Sequence, residues 1–284
     1  MSEASLAIAG SVAMHVVWNL IARHQPRRAY ALWWVLLAHL LVLAPWGWFC
    51  LYREARWSPT LIVLTAISAS ANATYFLGLK RAYDHAPVAL VYPLVRSSTL
   101  LIALWGWLLT GDSLHPGAWA GILVSVAGLG LLASTGQRNG QRSALPWALL
   151  AMLSTSIYSL SDKAVTAHVQ SFGGLLGFIS VGYLASWLTL SVDMHRQTGA
   201  WVPPERPRLR VVAIGGLCVG LAYVLVVHAM RSMPAAVVVA FTNAGIVLAT
   251  FASICIFKEQ EHWRRRVLAV TVICLGLLIL GFWR

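Results

Sequence analysis

Arg96 has the sharpest chemistry in this sequence. It sits mid-way along the apolar stretch 87–109, too deep for its head to snorkel to water, and a guanidinium held there is a planar fork of donors that grips a carboxylate or phosphate through two parallel bonds. Tyr92 and Thr99 lie one helical turn away and share its face, with Ser97 and Ser98 beside it. A polar stripe at that depth faces a cavity rather than lipid. The structural alternative is that Arg96 pairs with Asp162 and both are satisfied inside the protein.

Other polar groups fall in apolar surroundings at helical spacing. His15, Trp18 and Asn19 stand at i, i+3 and i+4 in one stretch, and Thr155, Tyr158 and Ser159, followed by Asp162 and Lys163, stand in another. Trp18 and Tyr158 read as paired aromatic walls or, equally, as packing or interface anchors; Lys163 reads as a snorkelling end residue. Asn72 with Tyr75, and Tyr223 with His228, add polar handles, while His39 stands alone and reads as a hydrogen-bonded structural residue. The candidate substrate-binding set is Arg96, Tyr92, Trp18, Asn19, His15, Tyr75, Tyr158, Asp162, Tyr223 and Asn243. No catalytic or metal site is expected: Cys50, Cys218, Cys255 and Cys274 are scattered singly, and the chain has no HExxH, GxSxG or nucleotide-binding GxxxxGK[ST] run. These absences argue against an enzyme, a resident cofactor and an ATP-driven pump.

The elements that must position these groups are membrane helices. The 284 residues are 59% hydrophobic and 11% charged, against roughly 25% charged in a soluble domain. Apolar stretches of spanning length follow one another at 4–22, 29–51, 59–80, 87–109, 116–134, 146–166, 171–192, 211–230, 234–256 and 265–283, predicting an all-α integral membrane fold of ten transmembrane helices. The first stretch reads as a retained helix, because Glu3 and no cation precede its apolar run. The net charge of +12 sits at helix ends rather than in a basic stripe, so no nucleic-acid partner is expected. Trp46, Trp48, Trp57, Trp201, Trp263 and Trp283 fall near the predicted interfaces, where aromatic belts form.

Loop charge predicts orientation. Arg23, Arg27, Arg28, Lys80, Arg81, Arg138, Arg142, Arg196, Arg206, Arg208, Arg210, Lys258, Arg264, Arg265 and Arg266 occupy the odd loops, and only Arg53, Arg56, Lys163, Arg231 and Arg284 the even loops and C-terminus. The positive-inside rule then places the odd loops in the cytoplasm, with both termini outside the inner membrane.

An internal repeat relates the halves. Tyr75 meets Tyr223 and Gly128 meets Gly276 at an offset of 148, while Pro87 meets Pro234 and Asp112 meets Glu259 at 147, a one-residue slip. At 147, Arg96 meets Asn243, which follows Thr242. Five helices per copy is an odd number of crossings, so two inverted five-helix repeats are predicted, over 1–136 and 144–284. Trp18-Asn19-Leu20-Ile21-Ala22-Arg23, Tyr75-Phe76-Leu77-Gly78-Leu79-Lys80-Arg81-Ala82 before Pro87, Gly111-Asp112-Ser113-Leu114 before Gly121 and Gly128, Ala229-Met230-Arg231 before Pro234, and Lys258-Glu259 together resemble the drug/metabolite transporter superfamily, in particular its EamA-type chains. The resemblance covers nearly the whole chain. Asp112 departs from the Glu usual in that family, and the second loop is less basic than in many relatives, whose termini tend to be cytoplasmic, opposite to the charge count.

The resemblance implies a secondary transporter that moves a small polar metabolite, such as an amino-acid-like zwitterion or an organic anion, by alternating access around a midplane cavity lined by helices one, three, four, six, eight and nine. Helices five and ten are expected at the periphery. Proton coupling through Asp162 or His15, uniport and exchange all fit. The expected partners are a small-molecule substrate and membrane lipids, in a monomer or weak homodimer. Two other classes stand beside this one: a flippase for lipids or lipid-linked headgroups, and a non-transporting receptor or assembly subunit.

Overall fold

In hydrocarbon no water satisfies the peptide groups, so each crossing segment must close its hydrogen bonds within itself. The computed structural model of the protein follows that demand. It describes residues 2–22, 30–136, 141–256, 258 and 261–283, with the side chains of 19–22 left out. Asn19 as a side chain, and the loop cations Arg23, Arg27, Arg28 and Arg138, therefore lie outside the described residues.

The chain is an all-α integral membrane protein. Its helices are α1 (Glu3–Ala22), α2 (Ala31–Val42), α3 (Ala44–Glu54), α4 (Pro59–His85), α5 (Val88–Arg96), α6 (Ser98–Trp105), α7 (Pro116–Ser134), α8 (Leu145–Val165), α9 (Phe172–Thr198), α10 (Leu209–Ala229), α11 (Ala235–Thr242), α12 (Ala244–Cys255) and α13 (Trp263–Trp283). Among the described residues, eight stretches are long and apolar enough to cross a membrane, counting α5 with α6 and α11 with α12 as single spans. A ninth consists of α2 and α3, bent by 54°. Pro45, in the first turn of α3, explains the bend, since its ring and missing N–H cannot continue the hydrogen-bond ladder of α2. The first helix runs 20 residues, Glu3–Ala22, and is apolar over its described side chains, Glu3–Trp18.

Two helices outrun their predicted apolar stretches, α4 reaching His85 and α9 reaching Thr198. Hydropathy fades where the side chains become polar, but those side chains pair one turn apart and hold the helix. Lys80 bridges Asp84 at 3.0 Å, and Gln197 donates to Asp193 at 2.8 Å.

The chain folds as two compact units: residues 1–77 with 161–232, and residues 78–160 with 233–284. Each unit draws on both halves of the sequence.

In the first unit, small residues let backbones approach closely, the general solution where lipid supplies no hydrophobic drive between helices. A Cβ on Gly177 of α9 would meet the Gly47 carbonyl oxygen of α3 at 2.1 Å, and one on Gly173 would meet Cys50 Sγ at 2.7 Å. Helices α1 and α10 run antiparallel, with Trp18 lying on Gly215, Leu225 against Gly10, and His228 bonded to Glu3 at 2.8 Å. The core between these helices is built on Leu36, Leu175, Leu176, Val224 and Val227, all fully buried.

In the second unit, α7 and α13 are joined in the same way. A Cβ on Gly121 would come within 2.7 Å of the Leu280 nitrogen, and one on Gly276 within 2.4 Å of the Ser125 nitrogen. The outer face of α13 leaves Leu268, Leu275, Leu278 and Phe282 exposed to the bilayer.

Candidate functional site

The second unit holds Arg96. Two spans of this unit each lose regular α geometry for one residue near mid-length: Ser97 separates α5 from α6, and Asn243 separates α11 from α12. Pro93 weakens α5 one turn upstream, where its missing N–H leaves a carbonyl without its ladder partner, and at Ser97 both the backbone N–H and the hydroxyl donate to the Pro93 carbonyl, at 3.1 and 3.0 Å, a back-bonding that bends helices. The two breaks meet. Arg96 donates from Nε to Asn243 Oδ1 at 3.1 Å and from Nη2 to Thr242 Oγ1 at 2.5 Å, and its guanidinium stands 5.7 Å from the ring centre of Tyr92.

Donor counting shows what this cluster lacks. Thr242 spends its own proton on the Val239 carbonyl, at 2.6 Å, so its oxygen accepts from Arg96. Arg96 has donors only, which fixes the Asn243 amide with its oxygen toward the guanidinium and its nitrogen away. That nitrogen is buried, on a fully buried residue, and has no partner among the described residues. Two of the five guanidinium N–H donors are engaged, and the remainder have no acceptor among the described residues. The cluster is thus a cation and a side-chain amide with several unmet donors and no carboxylate. An unmet buried donor costs about 1–3 kcal/mol, and an oxyanion removes that cost.

The first unit holds Asp162, in α8 and 1% exposed. Ser68 of α4 donates to its Oδ1 at 2.5 Å, and Tyr223 of α10 donates to its Oδ2 at 2.5 Å. On the same face of α4, Asn72 accepts from Ser186 of α9 at 2.8 Å, and Tyr75 packs on the core with its ring 5.1 Å from that of Phe76. Lys163 turns to the Met230 carbonyl at 2.8 Å. Nearby, His39 is fully buried and its Nε2 is 2.9 Å from Ser180 Oγ.

The candidate residues therefore divide. Arg96, Tyr92 and Asn243 come together in one unit, and Asp162 and Tyr223 in the other. Arg96 and Asp162 each find their partners inside their own unit, as the bonds above show. His15 bonds the Ser11 carbonyl of its own helix at 2.9 Å. Trp18 lies on α10 in the first unit, whereas Tyr158 is buried in the second. Sequence reasoning missed Ser68, although its signal was present: Ser68, Asn72 and Tyr75 recur at i, i+4 and i+7 on one face of α4.

Residues 142–282 match the EamA-like transporter family. The chain carries an EamA-like domain of the drug/metabolite transporter superfamily. A solved structure titled "Crystal structure of protein" is similar to this EamA-like chain at a TM-score of 0.75 and 18% identity, covering 99% of this chain and 98% of the other. At that identity the similarity shows a shared fold. No curated protein matches the EamA-like chain. The domain makes it a transporter-type, multi-pass membrane protein, for which a small-molecule substrate and a lipid environment follow. The matched region contains the second-half motifs that carry the resemblance, Ala229-Met230-Arg231 before Pro234 and Lys258-Glu259.

Proposed function

We propose that this protein is a secondary transporter for a small organic anion or a zwitterion with an anionic end, working by alternating access in the cytoplasmic membrane and held to no catalysis. The observation that carries the reading is the surplus of unmet donors on Arg96 and Asn243 inside a membrane unit. A carboxylate or phosphate supplies the acceptors that this cluster lacks, and the cluster stands where two spans each lose regular helical geometry for one residue, a milder form of the helix interruption at which transporters place ion sites. Tyr92 walls the guanidinium.

The sequence repeat supports ten crossings in two inverted five-helix repeats, 1–136 and 144–284, and the excess of cations in the odd loops supports cytoplasmic odd loops with both termini outside. A cysteine placed at Arg138 tests the orientation: it should resist an impermeant reagent in intact cells, and labelling from outside would reverse the assignment.

The substrate reading is tested with detergent-purified protein and a panel of amino acids, dicarboxylates and sugar phosphates, read by thermal shift and then by uptake of radiolabelled hits into proteoliposomes. Stabilisation by carboxylates or phosphates, lost in Arg96→Ala, is the expected result. A headgroup phosphate offers the same acceptors, so fluorescent-lipid flipping is measured in the same vesicles; flipping without soluble uptake would replace the metabolite reading with a flippase.

A further inference from the structure

Asp162 is buried within the span Gln141–Val165, 1% exposed. Its partners are two hydroxyls, on Ser68 and Tyr223, each at 2.5 Å, and no Lys, Arg or His stands among them in the described residues. The cation next to it in sequence, Lys163, donates to the Met230 carbonyl instead. Tyr183 of α9 also interacts electrostatically with Asp162, and with Tyr75 of α4; its hydroxyl donates to the Val219 carbonyl at 3.1 Å. A lone carboxylate inside a membrane unit costs several kcal/mol as an ion, and it is relieved by taking up a cation.

The oxygen set chooses the cation. Ca²⁺ takes six to eight oxygen ligands and Mg²⁺ demands six, whereas one carboxylate and two hydroxyls converge here. A proton needs only a second satisfied hydrogen-bond state, and the site has one. When ionised, Asp162 accepts from both hydroxyls. When protonated on Oδ1, it donates to Ser68 Oγ, whose own proton turns to a carbonyl of its helix, as Thr65 does to Leu61 at 2.7 Å and Thr74 to Ser70 at 2.8 Å on the same α4. Neither state leaves a buried polar atom unmatched at this carboxyl.

We propose that Asp162 is a proton-binding site, positioned by Ser68 and Tyr223, and that its proton couples to passage of the anion held at Arg96. The coupling rests on the transporter reading above; the proton site does not. The step is a reversible protonation of Oδ1, with no change of oxidation state.

Infrared difference spectroscopy of the purified protein in lipid, titrated from alkaline to acid, reads the proton directly. The wild type should gain a carboxyl C=O band that is absent in Asp162→Asn, present in Asp162→Glu and unchanged in Arg96→Ala, with each variant checked for wild-type gel filtration and melting. In proteoliposomes, a pH gradient of one unit should raise accumulation of a radiolabelled panel hit by up to about tenfold for one coupled proton, and Asp162→Asn should accumulate equally with and without the gradient. Lack of an Asp162-dependent band in folded protein overturns the proton site. Gradient-stimulated uptake persisting in Asp162→Asn overturns the coupling. If the band titrates but the wild type moves no panel member, the proton site stands and the anion-transport reading fails.

Discussion

The two units solve the same problem, a charge inside a membrane protein, in opposite ways. Around Asp162 the protein closes the shell: both carboxylate oxygens are taken by hydroxyls and the residue is sealed from solvent. Around Arg96 the shell is left open: the guanidinium has spare donors, is partly exposed, and stands beside a buried amide nitrogen that has no acceptor. A closed shell suits a ligand as small as a proton, which changes hydrogen-bond direction without needing room. An open shell with donors to spare suits a larger ligand that brings its own acceptors. Burial alone does not separate these cases; the balance of donors and acceptors does.

Arg96→Ala carries the largest expected effect. It should abolish carboxylate- or phosphate-induced stabilisation and transport, a loss of about 2–5 kcal/mol in binding, while Arg96→Lys keeps the charge, loses the fork and retains partial activity. Wild-type affinity in folded Arg96→Ala would make Arg96 structural and leave the open shell without a purpose.

Gly177→Leu tests whether close helix packing holds the unit around Asp162. Its side chain would run into the Gly47 carbonyl, and overpacking of this kind costs about 1–3 kcal/mol. A marked drop in melting temperature is expected; unchanged melting would show that α3 and α9 part easily.

Asn243→Ala removes both the acceptor for Arg96 Nε and the unmet amide. We expect about a tenfold weaker anion affinity, the worth of one hydrogen bond to a charged group, with little loss of fold. Unaltered binding would confine the open shell to Arg96.

Glu3→Gln should matter least. It weakens the contact with His228, but the Glu3 side chain is 83% exposed, and exposed pairs contribute under about 1 kcal/mol. A large effect on transport would mean that this end of α1 and α10 acts in the cycle.

Much of this was legible beforehand. Arg96, alone among the Lys and Arg in lying amid an apolar stretch, pointed to itself, and the 147-residue offset to Asn243 selected a partner that the structure brings within 3.1 Å. The pairing of Asp162 with Ser68, 94 residues away, was not legible, because a serine in a membrane helix is ordinarily satisfied by its own carbonyls. Trp18 and Tyr158, read as one pair of walls, fall in different units, because spacing along a helix fixes a face but not what that face meets.

The membrane-helical character of the chain follows from sequence, since spanning length and apolarity are local properties that the absence of water enforces segment by segment. The sequence also places Arg96 and Asp162 inside membrane helices. Which of these polar groups are satisfied depends on how the helices assemble. Ser68 and Tyr223 reach Asp162 from helices distant in the chain, and the Asn243 nitrogen is orphaned because its oxygen is committed to Arg96. Hydrogen-bond satisfaction is a property of assembled neighbours, and no local pattern of residues carries it.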